Sequence, residues 1–209
     1  MIDKYLKTKN GNIFYHISDY WDNGKETIFF FHGLTADHTM FEEQCLYFQG
    51  KYNVIAWDAP CHGKSRPYGH DYYSKSDIFW LKQIGWMGMC YPLNPLKKAS
   101  SKQATTTIAG YENMMAMIAP YGKSEYSELM QRAYDAFLQD NFDLEITCPV
   151  LITSGEFDKV GKVKTYCKMW HEKTGYPWIV IEGAGHNANV DNPTQMNRVM
   201  EEFLVDCDL

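Results

Sequence analysis

The two ends of the chain differ from its middle in a way that restricts the possible folds. Continuous apolar runs of strand length occur at residues 27–32 (TIFFFH), 54–58 (VIAWD), 149–154 (PVLITS) and 178–182 (WIVIE). Runs without polar alternation are typical of strands buried on both faces, as in a parallel sheet covered by helices. No β-branched run of this kind occurs between residues 58 and 149. We therefore predict an α/β fold with a mostly parallel sheet and a long helical segment inserted into it.

Helical periodicity accounts for much of the remaining sequence. Asn192, followed by Pro193, is the expected N-cap of the last helix, and Gly175 is expected to end the helix before it. Asn10-Gly11 predicts an N-terminal β-hairpin. The helix that Gly175 ends is predicted at residues 160–174, and further helices are predicted at residues 40–50, 76–91, 107–118 and 125–139. The chain then divides into the N-terminal part of an α/β core (1–68), a helical cap (69–145) and the C-terminal part of the same core (146–209).

Composition excludes several functional classes. The formal net charge is −6, which gives no basic surface for nucleic acid. No apolar run approaches the roughly 18 residues of a membrane span, and the N-terminus has no signal-peptide core. The six cysteines are scattered without a CxxC pair. We therefore expect a cytoplasmic chain with reduced cysteines, and with neither a metal ion nor a cofactor.

Polar residues follow three of the predicted strands. His32-Gly33-Leu34 follows the first apolar run, Asp158 follows the third and His186 follows the fourth. In open α/β sheets the site lies outside the carboxyl ends of the strands, so these loops are candidates to meet. A carboxylate and an imidazole at one edge are suited to proton transfer. Glu156, between Gly155 and Asp158, is expected to be exposed.

Four of these stretches together resemble the α/β-hydrolase superfamily. They are FFFHGL, VIAWDAPCHGKS, PVLITSGEFD and GAGHNANVDNP, and the second resembles the family's D-x-(P/R)-x-(H/R)-G-x-S loop. The resemblance covers residues 1–66 and 147–205, and the middle resembles the family's helical lid. It implies an acid role for Asp158, a base role for His186 and an oxyanion-hole role for the Leu34 N–H after Gly33. The implied substrates are small, apolar molecules with ester or related acyl bonds.

The nucleophile motif of that family, G-x-S-x-G, is missing from the sequence. The nearest imitation, IGWMGMC at residues 84–90, has Met87 at the central position, and methionine cannot form an acyl-enzyme. Arg66-Pro67-Tyr68 is followed at once by a stretch that resembles the start of the lid. Typical element lengths put the absent unit at roughly 40 to 60 residues. Its two central strands would leave a gap of about 10 Å in the sheet.

The sequence leaves several alternatives open. The chain either lost an internal segment or rebuilt its centre, and it is either a hydrolase or a non-catalytic binding protein. A third hypothesis makes Ser65 or Cys61 an unrecognised nucleophile with His186 as its base, although Ser65 and His62 also fit structural roles in their loop. Cys90 is not flanked as an elbow. Four residues of the middle would line an apolar pocket or pack between helices: Trp80, Trp86, Met87 and Met89.

Overall fold

A computed structural model describes residues 1–69, 92–139 and 146–208 of the chain. The helix predicted at residues 76–91 lies outside the described residues. The same holds for the pocket candidates Trp80, Trp86, Met87 and Met89, for Cys90, and for part of the predicted cap.

The N-terminal part of the chain forms a four-stranded sheet in the order β1-β2-β4-β3. Residues Thr8 and Gly11 are paired at the tip of the first two strands, which confirms the hairpin predicted from Asn10-Gly11. β2 is antiparallel to both β1 and β4, whereas β3 and β4 are parallel. The strands are β1 (Ile2–Thr8), β2 (Gly11–Ile17), β3 (Thr27–Phe30) and β4 (Asn53–Trp57).

The C-terminal part forms a second, smaller sheet. Its two strands, β5 (Ile152–Gly155) and β6 (Trp178–Ile181), are parallel and in register from Ile152 with Trp178 to Gly155 with Ile181. Among the described residues, β3 is an edge strand of the first sheet and β5 is paired only with β6. The division into four and two strands agrees with the predicted loss of two central strands.

Helices surround the strands and fill the middle of the chain. In the described residues they are α1 (Glu42–Phe48), α2 (Leu93–Ala104), α3 (Ile108–Ile118), α4 (Lys123–Gln139), α5 (Val163–Thr174), α6 (Ala188–Asp191) and α7 (Pro193–Asp206). The Asn192 side chain accepts from the Gln195 N–H at the start of α7, and Gly175 ends α5 with a φ of 76°. Both predicted helix ends are therefore confirmed. None of the described helices is long and apolar enough to cross a membrane.

Two apolar clusters form the core, one under each sheet. The first contains Phe30, Phe48 and Val54, and the second contains Ile181 and Met196. Met200 of α7 packs against both clusters. The last helix therefore joins the two halves where no strand does so in the described part of the chain.

The other face of the large sheet carries exposed aromatic side chains. Because side chains alternate along a strand, Phe29 and Phe31 point away from the cluster that contains Phe30. They are 43% and 61% exposed. Their rings lie 4.3 Å apart, and both contact Trp57. We call Phe29, Phe31 and Trp57 the aromatic edge; it lies beside the open side of β3.

Candidate active site

Asp158 and His186 lie together beyond the carboxyl ends of β5 and β6. Nδ1 of His186 is 2.9 Å from Oδ2 of Asp158, and the other carboxylate oxygen accepts from the Val160 N–H at 2.8 Å. Because a carboxylate only accepts, Nδ1–H is the donor, which leaves Nε2 as the nitrogen that can take up a proton. The Asp158 side chain is 3% exposed and that of His186 is 42% exposed. An accessible imidazole is thus oriented by a buried acid.

The loops that carry these two residues approach each other closely because both contain glycine. A Cβ on Gly155 would lie 1.9 Å from the carbonyl oxygen of Gly185, a separation that no side chain tolerates. We call residues 156–162, which carry Asp158, the acid loop and residues 182–187, which carry His186, the base loop. The Phe157 N–H donates to the carbonyl of Ala184 at 2.8 Å, which joins the two loops directly. The short distance between Asp158 and His186 therefore follows from backbone packing as well as from the pairing of β5 with β6.

The predicted oxyanion residues, Gly33 and Leu34, lie in the loop that leaves β3. His32 shapes this loop, since its Nδ1–H donates to the Gly33 carbonyl at 2.8 Å and its Nε2 accepts from the Ala59 N–H at 2.9 Å. These bonds fix one neutral tautomer, and burial lowers the pKa of His32. Leu34 itself is 38% exposed. The oxyanion role of its N–H stays a prediction.

Comparison with proteins of known structure identifies the architecture. The enol-lactonase from Burkholderia xenovorans superposes with a TM-score of 0.74 at 13% identity, covering 97% of this chain and 100% of that one. An esterase from Thermogutta terrifontis gives a TM-score of 0.70 at 12% identity, covering 99% of both chains. The chain has the α/β-hydrolase fold. No protein-family model matches the sequence.

One curated relative aligns with nearly the whole chain. The (E)-2-((N-methylformamido)methylene)succinate hydrolase from Acinetobacter baylyi is 20% identical, with 98% of each chain covered. That alignment runs over 263 residues, which exceeds the 209 residues of this chain by 54. The length predicted for the absent unit stays a prediction, because an alignment length includes gaps at any position in either chain.

Ser65 serves a structural purpose in this α/β-hydrolase fold. Its Oγ accepts from the Phe14 N–H at 2.8 Å and donates its proton to the Asp58 carbonyl at 2.6 Å. The residue is 1% exposed. His62, in the same loop, is also buried, and its Nδ1–H donates to the Pro60 carbonyl. These bonds argue against Ser65 as a nucleophile for His186 and support the structural role considered for both residues.

Asp58 stabilises the same loop, a structural role that the sequence analysis did not predict. Its carboxylate is fully buried and accepts from the N–H and Nδ1–H of His38 and from the Lys64 N–H, at 2.7 to 2.8 Å. Burial alone would raise the pKa of Asp58, but the hydrogen bonds from His38 and Lys64 lower it overall. Ligand atoms of Asp37, His38 and Asp58 lie within 4.8 Å of one another. Since both Asp58 oxygens already accept hydrogen bonds, we interpret the cluster as a hydrogen-bonded group that stabilises the loop rather than as a metal site.

Cys61, the other nucleophile considered, faces a cavity of about 310 Å³ that Arg66 and Leu129 also line. Burial raises the pKa of its thiol. Because the thiolate is the reactive form, this environment makes Cys61 a poorer nucleophile than a free cysteine at neutral pH. The cavity does not have His186 among its lining residues.

Proposed function

We propose that the chain hydrolyses ester or related acyl bonds of small molecules, with His186 as the base and Asp158 as the acid that orients it. The observation that carries this proposal is the 2.9 Å bond between a buried carboxylate and an accessible imidazole. Asp158 holds Nδ1 protonated and would stabilise the imidazolium that forms during reaction, while Nε2 exchanges the proton. In this proposal the Leu34 N–H, in the loop after β3, is the oxyanion donor.

Water is the nucleophile in this proposal. The sequence has no G-x-S-x-G, Ser65 is committed to the backbone, and burial disfavours the Cys61 thiolate. Nε2 of His186 would take a proton from water as its oxygen bonds to the acyl carbon. The imidazolium would then return this proton to the leaving oxygen as the acyl–oxygen bond breaks. No acyl-enzyme forms by this route.

The names of similar proteins narrow the substrate class. They include an esterase, an enol-lactonase and a hydrolase of a substituted methylenesuccinate. Activated esters and lactones of small carboxylic acids are therefore the first substrates to assay.

The test is hydrolysis of p-nitrophenyl acetate by the native chain and by His186→Ala. We expect kcat/KM to fall about 100-fold, at the lower end of the effect of a general base. His171→Ala is the matched control, because His171 is an exposed histidine on α5, and it should leave the rate unchanged. A rate that does not depend on His186 would rule out the proposed role of this residue.

A fluorophosphonate probe distinguishes water from a side-chain nucleophile. With water as the nucleophile the probe labels neither the native chain nor His186→Ala. Labelling that is lost in His186→Ala would instead show a serine nucleophile, contradicting the water mechanism while keeping the base.

A non-catalytic binding protein is the second candidate, and the missing G-x-S-x-G favours it. Such a protein would bind the same small acyl compounds without cleaving them. A rise in melting temperature with an ester that is recovered intact, together with no His186-dependent turnover, would support binding over hydrolysis.

A further inference from the structure

Asp191 connects the loop that carries His186 to the cap. Its Oδ2 accepts from the N–H of Gly185, the residue before His186, at 2.9 Å, and from the Thr106 N–H at 3.0 Å. Its Oδ1 accepts from the hydroxyl of Thr107 at 2.7 Å and from the Thr107 N–H at 3.2 Å. One carboxylate therefore holds donors from two segments that are about 80 residues apart in sequence.

Further contacts join the same two segments. The Asn187 N–H donates to the Ala104 carbonyl at 3.0 Å, and the Thr106 hydroxyl donates to the Gly183 carbonyl at 2.6 Å. A Cβ on Gly185 would lie 2.6 Å from the Ala104 carbonyl oxygen. The turn between α2 and α3, residues 104–107, is thus hydrogen-bonded to the base loop on both sides of His186.

The backbone at His186 and its ring are held by different parts of the molecule. Asp158 fixes the ring through Nδ1, whereas the turn at 104–107 fixes the backbone through Asp191, Asn187 and Gly183. The ring can meet Asp158 only if the backbone on either side of it stays in place. Asp191 accepts hydrogen bonds from both the base loop and the turn.

We propose that Asp191 is a positioning residue for His186, which makes the orientation of the imidazole depend on the cap turn at residues 104–107. The expected effect of Asp191 on catalysis rests on the proposed function. The structural content of the proposal is independent, because the bond between His186 and Asp158 can be observed without turnover.

The experiment compares Asp191→Asn with the native chain by NMR of the histidine ring protons. The asparagine side chain keeps the shape but loses one acceptor oxygen, so either the two Thr107 donors or the N–H groups of Gly185 and Thr106 lose their acceptor. We expect the His186 Nδ1 proton to exchange with water at least tenfold faster. We expect kcat for p-nitrophenyl acetate to fall about tenfold with KM changed less than twofold. Asp206→Asn, an exposed aspartate on α7, is the matched control and should change neither quantity.

A second variant keeps the test decisive if Asp191→Asn does not fold. Thr106→Val removes the exposed hydroxyl that donates to Gly183 and leaves the Thr106 N–H in place. It should raise the Nδ1 proton exchange rate about threefold. Unchanged Nδ1 exchange in a folded Asp191→Asn, or in Thr106→Val where the first variant is unfolded, would overturn the proposal. An activity that does not depend on His186 would instead contradict the proposed function and leave the NMR result to decide the role of Asp191.

Discussion

The large sheet and the small sheet differ in what they contribute to the molecule. The four-stranded sheet supplies buried aromatic side chains such as Phe30 and Phe48, and it leaves the aromatic edge exposed. The cluster under the two-stranded sheet has no buried aromatic side chain among the described residues, but this sheet places Asp158 and His186 within hydrogen-bonding distance. The geometry of the acid and base therefore depends on glycine packing and hydrogen bonds around their two loops, and not on a continuous sheet. In the described residues two separate sheets are therefore compatible with a well-defined acid–base pair.

Truncation of buried side chains in the two cores should have the largest effects on stability. Phe48→Ala should lower the free energy of unfolding by about 3 to 5 kcal/mol, and Ile181→Ala by about 2 to 4 kcal/mol, because both side chains are fully buried. Hydrogen exchange should show the larger loss of protection in β4 for Phe48→Ala and in β6 for Ile181→Ala. Equal losses in both strands would show that the two clusters unfold as one unit.

The pH dependence of stability tests the buried loop of the large sheet. Burial lowers the pKa of His32 and His62 in the folded chain below the ordinary value of 6.5. The unfolded chain therefore binds more protons as the pH falls below 6.5, and the folded state loses stability until the pH passes the folded-state pKa. Each group contributes at most about 1.4 kcal/mol per pH unit.

Urea unfolding between pH 7 and pH 5 measures this dependence. His62→Gln should reduce the slope, whereas Phe31→Ser, which removes no titratable group, should leave it as in the native chain. A slope that His62→Gln does not change would show that this group takes up its proton equally in both states.

The smallest expected effect on stability comes from the aromatic edge. Phe31→Ser should change the free energy of unfolding by less than about 0.5 kcal/mol, because the side chain is 61% exposed. The same substitution should raise the temperature at which light scattering begins, since it removes exposed apolar surface beside an open strand. Tyr20→Ser is the control, as Tyr20 is 89% exposed. An equal gain from both variants would show that the aromatic edge has no special role in aggregation.

Much of the fold could be predicted because its signals are local. Each of the four apolar runs overlaps an observed strand, although β4 begins one residue before its run, at Asn53, and β5 spans Ile152–Gly155 rather than 149–154. The hairpin turn and the N-cap at Asn192 depend on neighbouring residues only. Asp158 and His186 could be singled out because each directly follows a strand.

The missed features depend on contacts between distant residues. Helix α2 was not predicted, since its sequence LNPLKKASSKQA is polar and contains Pro95. Proline is tolerated in a first turn. Lys97 in this helix is buried, and its Nζ donates to the carbonyls of Ala119 and Tyr121 beyond the end of α3. Asp191 was missed for the same reason, because its partners Thr106 and Thr107 lie 85 and 84 positions away.

The position of α7 in the chain has a consequence for biosynthesis. Gln44 of α1 donates to Asn197 of α7 at 3.0 Å across 153 positions, and the cluster around Phe48 is completed by Met200 and Leu204. At translation rates of about 5 to 20 residues per second, the ribosome needs roughly 8 to 30 s to add that much chain. The large sheet lacks part of its apolar cover throughout this interval. The speed of translation therefore sets how long the nascent chain must be kept from aggregating.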